Sequence, residues 1–141
     1  MKPCVLVAEA GSQGGAALCR NFSGRGFSVV GVDRYIPAAA REAIDLPIEA
    51  DLARFEEAAE AVGAALELFR RIDLLVFCPR GDGSDRIGAV CNLIAAAAPH
   101  FRRTRRGRIV VVGSSAATGL VRAFACELGP DNVEVVRVAA R

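Results

Sequence analysis

The chain of 141 residues contains no tryptophan and only one each of tyrosine (Tyr35), lysine (Lys2), histidine (His100) and methionine. With one histidine, and no cysteine at ligand spacing from it, no metal site is expected. His100 stands near the end of a helical segment and reads as a cap rather than a catalyst. The five cysteines, Cys4, Cys19, Cys78, Cys91 and Cys126, are odd in number, include no C-x-x-C pair and lie in apolar segments. That pattern excludes a disulfide framework and reads as small core residues in a reducing compartment, the cytoplasm. Long hydrophobic runs are also missing: the most apolar stretches, around 87–98 and 109–112, are too short or too interrupted to span a bilayer. An apolar strand begins close to the N-terminus, so no secretory leader is expected. Excess charge of one sign is lacking as well. The net charge of +2 gives no general attraction to nucleic acid. The one basic run, from Phe101 to Arg108, reads as a helix end whose carbonyls favour cations, followed by a solvated loop.

A hydrophobic fraction of 52% with 24% charged residues suits a globular chain, and the length suits one domain over residues 1–141. Apolar runs alternate with helix-period segments throughout. Strands are expected at Cys4–Ala8, Ser28–Val32, Ile44–Ile48, Ile72–Phe77, Arg108–Val112 and Val133–Ala139, with Pro47 marking an edge strand. Helices are expected at Gly14–Ser23, after Asp51 as a cap, at Arg86–His100 and at Ala116–Leu128, with a loop at Gly81–Asp85. Strict alternation of this kind predicts a doubly wound α/β sheet with right-handed crossovers.

Residues 3–34, PCVLVAEAGSQGGAALCRNFSGRGFSVVGVDR, carry the most specific signal. An apolar strand enters a Gly-rich turn, a helix follows, and a second strand ends on Asp33. This is the plan of a dinucleotide-binding βαβ unit, in which backbone N–H groups at the turn meet a pyrophosphate and the acid meets a ribose. The candidate cofactor-binding residues are therefore Gly11, Ser12, Gly14, Gly15, Asp33 and Arg34.

In this order the residues resemble the short-chain dehydrogenase/reductase family over nearly the whole length. Ala8–Gly15 falls on the family's T-G-x-x-x-G-x-G turn, Asp33 on its ribose-binding acid, and Asp51-Leu52 on the residues it sets beside the adenine. Ile72–Val76 is similar to the strand that leads into the family's N-N-A-G, and Gly107–Ser114 to the strand that carries its catalytic serine. The resemblance implies a Rossmann-like parallel sheet of about six strands in the order 3-2-1-4-5-6, with helices on both faces. It also implies an NAD(H) site that includes Asp51 and Leu52, and pairing of subunits through the segments 86–100 and 116–128.

Several positions depart from the family pattern. Glu9 and Gln13 replace two turn glycines, and Phe77-Cys78-Pro79-Arg80 replaces N-N-A-G. A Glu9 carboxylate about 5 Å from a phosphate would cost roughly 3 kcal/mol at an effective dielectric of ~20, so cofactor binding is expected to be weak or absent. The family's catalytic Tyr-x-x-x-Lys has no counterpart, because Tyr35 and Lys2 cannot form it. Ser114 remains as a vestigial catalytic candidate, Asn92 reads as an ordinary helical polar residue, and the family's substrate-binding region is not expected within 1–141. These departures favour a non-catalytic subunit that acts by association, with itself or with a full-length catalytic relative. The alternatives are an NAD(H)-binding module, or an oxidoreductase component whose missing groups come from another subunit.

Overall fold

Continuous apolar runs end up as strands covered on both faces: every residue of Cys4–Ala8 and of Ser28–Asp33 is buried. The computed structural model describes residues 2–79, 86–113 and 117–139. Its strands are β1 (Cys4–Ala8), β2 (Ser28–Asp33), β3 (Leu46–Glu49), β4 (Leu74–Phe77), β5 (Gly107–Val112) and β6 (Val133–Val138). All pair in parallel, in the order β3-β2-β1-β4-β5-β6. The helices are α1 (Gln13–Gly24), α2 (Ala38–Arg41), α3 (Phe55–Phe69), α4 (Ile87–Thr104) and α5 (Thr118–Leu128). The expected Rossmann-like sheet is present with the expected strand order. Among the described residues no helix is long and apolar enough to cross a membrane.

Period-two alternation divides the core. Leu6, Val30, Leu75, Ile109 and Val135 join α3, α4 and α5 on one face. Val5, Val7, Val29 and Val76 join α1 and α2 on the other. Pro47 sits in the edge strand β3, opposite Gly31 on one side only.

Several boundaries and roles differ from expectation. α3 begins at Phe55 with Arg54 at the cap position, so Asp51 does not cap it. Asp51 instead accepts the Ala53 N–H at 3.0 Å, while its own N–H donates to Glu57 Oε1 at 2.9 Å. The connector after β2 holds the short α2, and α4 runs one turn past His100 despite Pro99. Cys4 and Cys19 are buried as expected, with burial pushing their thiols up to about 12 and about 11, but Cys126 is exposed. The loop expected at 81–85, Arg80 and the Ala116 start of the last helix lie outside the described residues.

His100 is a tie between elements rather than a cap. It is buried, and its Nε2 accepts the Ile72 N–H at 3.3 Å, joining α4 to the segment that enters β4. Burial holds its pKa below the ordinary value, and Arg103 and Arg106 push the same way, while Asp73 opposes them. A histidine with a lowered folded pKa takes up its proton more readily when unfolded, so stability is complete above about 6.5 and falls as pH drops below it. Urea unfolding between about pH 8 and about pH 5 should show this loss. His100→Gln, which keeps an acceptor but does not titrate, should remove it from that window. Asp73, held below the usual carboxylate range despite its burial by Arg71 and the Cys4 N–H, loses its contribution only at pH under 3.8.

Candidate functional site

The carboxyl ends of β1, β2, β3 and β4 converge on one edge, where open α/β sheets bind ligands. The turn leaving β1 is closed by Ser12. Its N–H donates to the Glu9 carbonyl at 3.0 Å, and its hydroxyl donates to the same oxygen at 2.7 Å. The Ser12 Oγ also accepts the Gly15 N–H at 3.0 Å, which caps α1. Gly15 is indispensable here, since a Cβ at that position would lie 2.0 Å from the Glu9 carbonyl oxygen.

Asp33 is buried at the end of β2 and braces this turn. Oδ2 accepts the Gly11 N–H at 2.8 Å, and Oδ1 accepts the Arg34 N–H at 2.7 Å. Gly11 is needed for that approach, as a Cβ would lie 2.3 Å from the Tyr35 carbonyl and 2.8 Å from Asp33 Oδ2. Gly14 lies exposed on the first turn of α1, and Arg34 is exposed beyond β2. Asp51 and buried Leu52 follow β3, linked to Asp33 through the Ala50 N–H on the Asp33 carbonyl at 2.9 Å. The structure thus brings the expected nucleotide-binding residues to one edge. Ser114 lies outside the described residues.

The Glu9 carboxylate does not stand as a bare charge on the turn. Glu9 takes the left-handed conformation at φ 62°, where the family keeps glycine, and its side chain is only 3% exposed. Its Oε1 accepts from Arg86 Nε at 2.6 Å, just before α4. The guanidinium stands at contact distance from the carboxylate and offsets its charge. Cys78 sits beside the turn, and a Cβ on Gly14 would come 3.0 Å from its Sγ. Burial, with the Glu9 charge adding to it, raises the Cys78 pKa and keeps the thiol protonated rather than nucleophilic.

Two features were not visible in sequence. Arg86 is separated from Glu9 by 77 residues and carries no motif that announces the pairing. Asn92 donates from Nδ2 to the Leu52 carbonyl at 3.0 Å, fixing the loop after β3 to α4. The basic run is the exposed end of α4 and the loop after it, as expected, and its arginines make surface ion pairs. Arg102 pairs with Glu127 at 2.9 Å, Arg105 with Asp131 at 3.4 Å and Arg108 with Glu134 at 3.2 Å. Among the described residues no cluster of His, Cys, Asp and Glu is arranged to hold a metal ion. Replacing Arg86 by Met strips the guanidinium from a buried carboxylate and should lower the unfolding free energy by about 3 kcal/mol in urea titrations.

No known protein-family profile matches the chain. The short-chain reductase protein NovJ of Streptomyces niveus is 30% identical over 175 residues, covering 95% of this chain and 66% of that protein. The matched stretch exceeds the 141 residues of this chain, so the relative carries internal segments without a counterpart here. The chain spans 66% of this curated relative's length. Among solved structures, an NAD+-bound xylitol dehydrogenase superposes with a TM-score of 0.82 at 20% identity, over 97% of this chain and 69% of that one. A 3-ketoacyl-(acyl-carrier-protein) reductase from Brucella melitensis complexed with NADH gives 0.79 at 24%, over 96% and 74%. A hydroxysteroid dehydrogenase from Escherichia coli gives 0.84 at 23%, over 96% and 69%. These superpositions establish the fold, and the reductase alignment across almost the whole sequence establishes the descent: the chain belongs to the short-chain dehydrogenase/reductase family.

Proposed function

We propose that this chain is a non-catalytic short-chain dehydrogenase/reductase-like subunit that works by association. The observation that carries this reading is the connection from β5 to α5. β5 ends at Val112, α5 begins at Thr118, and residues 113–117 read Gly-Ser-Ser-Ala-Ala. No general acid and no lysine to tune it stand in this stretch, and Tyr35 is 67% exposed on the far side of the sheet order, after β2. Ser114 by itself moves no proton to a substrate. Association draws support from the outward faces of α4 and α5, which expose Gly88, Ala95 and Pro99 on one helix and Gly119, Ala123 and Cys126 on the other. Small side chains there let a partner's helices approach closely. The expected result is an oligomer in native mass spectrometry, alone or with a co-expressed full-length relative, without NAD(P)H turnover. Ala123→Arg should convert that oligomer to monomer. A monomer under both conditions removes the reading.

A second reading, an NAD(H)-binding module, is favoured by the turn itself. Ser12, Gly15 and Asp33 keep the shape into which a pyrophosphate and a ribose fit, and the Glu9–Arg86 pair limits charge repulsion. Bound NAD+ in the similar xylitol dehydrogenase and NADH in the similar 3-ketoacyl reductase support it by analogy. Calorimetric titration should then give NADH a tighter affinity than NADPH, since the Asp33 carboxylate disfavours a 2′-phosphate. No heat with either at millimolar concentration excludes this module.

A further inference from the structure

The helices that precede β4 and β5 both end at the amino end of the sheet, and both endings are rich in arginine. Arg70 and Arg71 stand between α3 and β4, while Arg102, Arg103, Arg105 and Arg106 close α4 and lead into β5. Some of these charges are taken up: Arg71 by Asp73 at 2.6 Å, Arg102 by Glu127 at 2.9 Å and Arg105 by Asp131 at 3.4 Å. Arg70, Arg103 and Arg106 are exposed, and among the described residues no carboxylate pairs with them. Arg103 and Arg106 both act electrostatically on His100, and Arg106 acts on Asp73 as well, so their charges gather over one spot. Arg106 also lines a polar groove of about 350 Å³ with Arg108, Asn132 and Glu134, between the segments that enter β5 and β6. The Asn132 Nδ2 donates to the Arg105 carbonyl at 3.0 Å and ties the two walls together.

We propose that this basic end docks an acidic surface segment of another protein, whose carboxylates pair with Arg103 and with Arg106 at the mouth of the groove. It uses the end of α4 and internal connections of the fold, so it stands independently of pairing along α4 and α5 and of any cofactor.

The surroundings favour a protein over other polyanions. Glu127, Asp131 and Glu134 stand among the arginines, and a continuous row of phosphates would meet them together with the guanidinium groups. A protein surface carries both signs and can match such a pattern. The exposed rings of Tyr35 and Phe55 follow β2 and β3 at the opposite edge of the sheet, away from where a base would need to stack. Leu68, exposed in the last turn of α3, offers one apolar contact beside Arg70, which suits a protein side chain better than insertion into a bilayer.

A short labelled peptide with glutamate at every second position tests this, beside its glutamine counterpart and a single-stranded oligonucleotide of the same net charge. Fluorescence anisotropy with the full chain at about 50 mM salt should show the glutamate peptide binding at least about tenfold tighter than the glutamine peptide. Arg103→Ala combined with Arg106→Ala should weaken it by about tenfold. Arg20→Ala combined with Arg54→Ala, an equal loss of charge elsewhere, should leave it within about twofold. All four side chains are exposed, so circular dichroism should stay that of the parent chain. Equal affinity for the two peptides, or equal losses in the two double variants, overturns the proposal. Tighter binding of the oligonucleotide than of the glutamate peptide assigns the face to nucleic acid and overturns it. Co-sedimentation with vesicles of phosphatidylcholine and phosphatidylserine that the Arg103 and Arg106 substitutions abolish assigns it to a membrane surface and overturns it as well.

Discussion

The carboxyl edge of this protein depends on how closely α1 approaches the end of β1. The carbonyl of Glu9 occupies the space where a side chain on residue 15 would sit, and Ser12 bonds that carbonyl through both its N–H and its hydroxyl. So tight a turn forces residue 9 into the left-handed conformation, which costs a side-chain-bearing residue roughly 1 kcal/mol or more. Here that residue is a glutamate, and the turn directs its carboxylate inward. A buried charge is tolerated only with a counter-charge and hydrogen bonds, and Arg86 provides both. One backbone constraint at β1 thereby binds the start of α4 to the cleft.

Much of the fold was legible because its signals are local. Period-two and period-3.6 patterning located all six strands and four of the five helices, and the turn chemistry at Gly11–Gly15 located the candidate site. α2 has four residues, too few for periodicity to register. Where the sequence reading erred, a long-range partner decided the outcome. The ion pair of Glu9 was not legible because nothing nearby in sequence announces Arg86. His100 looked like a cap because the Ile72 N–H that it accepts is 28 residues earlier. Asp51 was given the cap of α3, but it serves a local turn one step upstream while Arg54 takes the cap position.

The geometry also changes what the retained cleft residues can be taken to mean. Asp33 would be kept in a cofactor site to hold a ribose, yet in this chain both its oxygens already accept backbone N–H groups that shape the turn. Substituting it would leave the Gly11 N–H without its carboxylate, a cost to folding regardless of any ligand. Gly15 and Ser12 have equally sufficient structural reasons to be present. The cleft can therefore persist through the demands of packing alone. On the proposed reading, activity is judged instead from the five residues between β5 and α5, which include Ser114 but no tyrosine and no lysine.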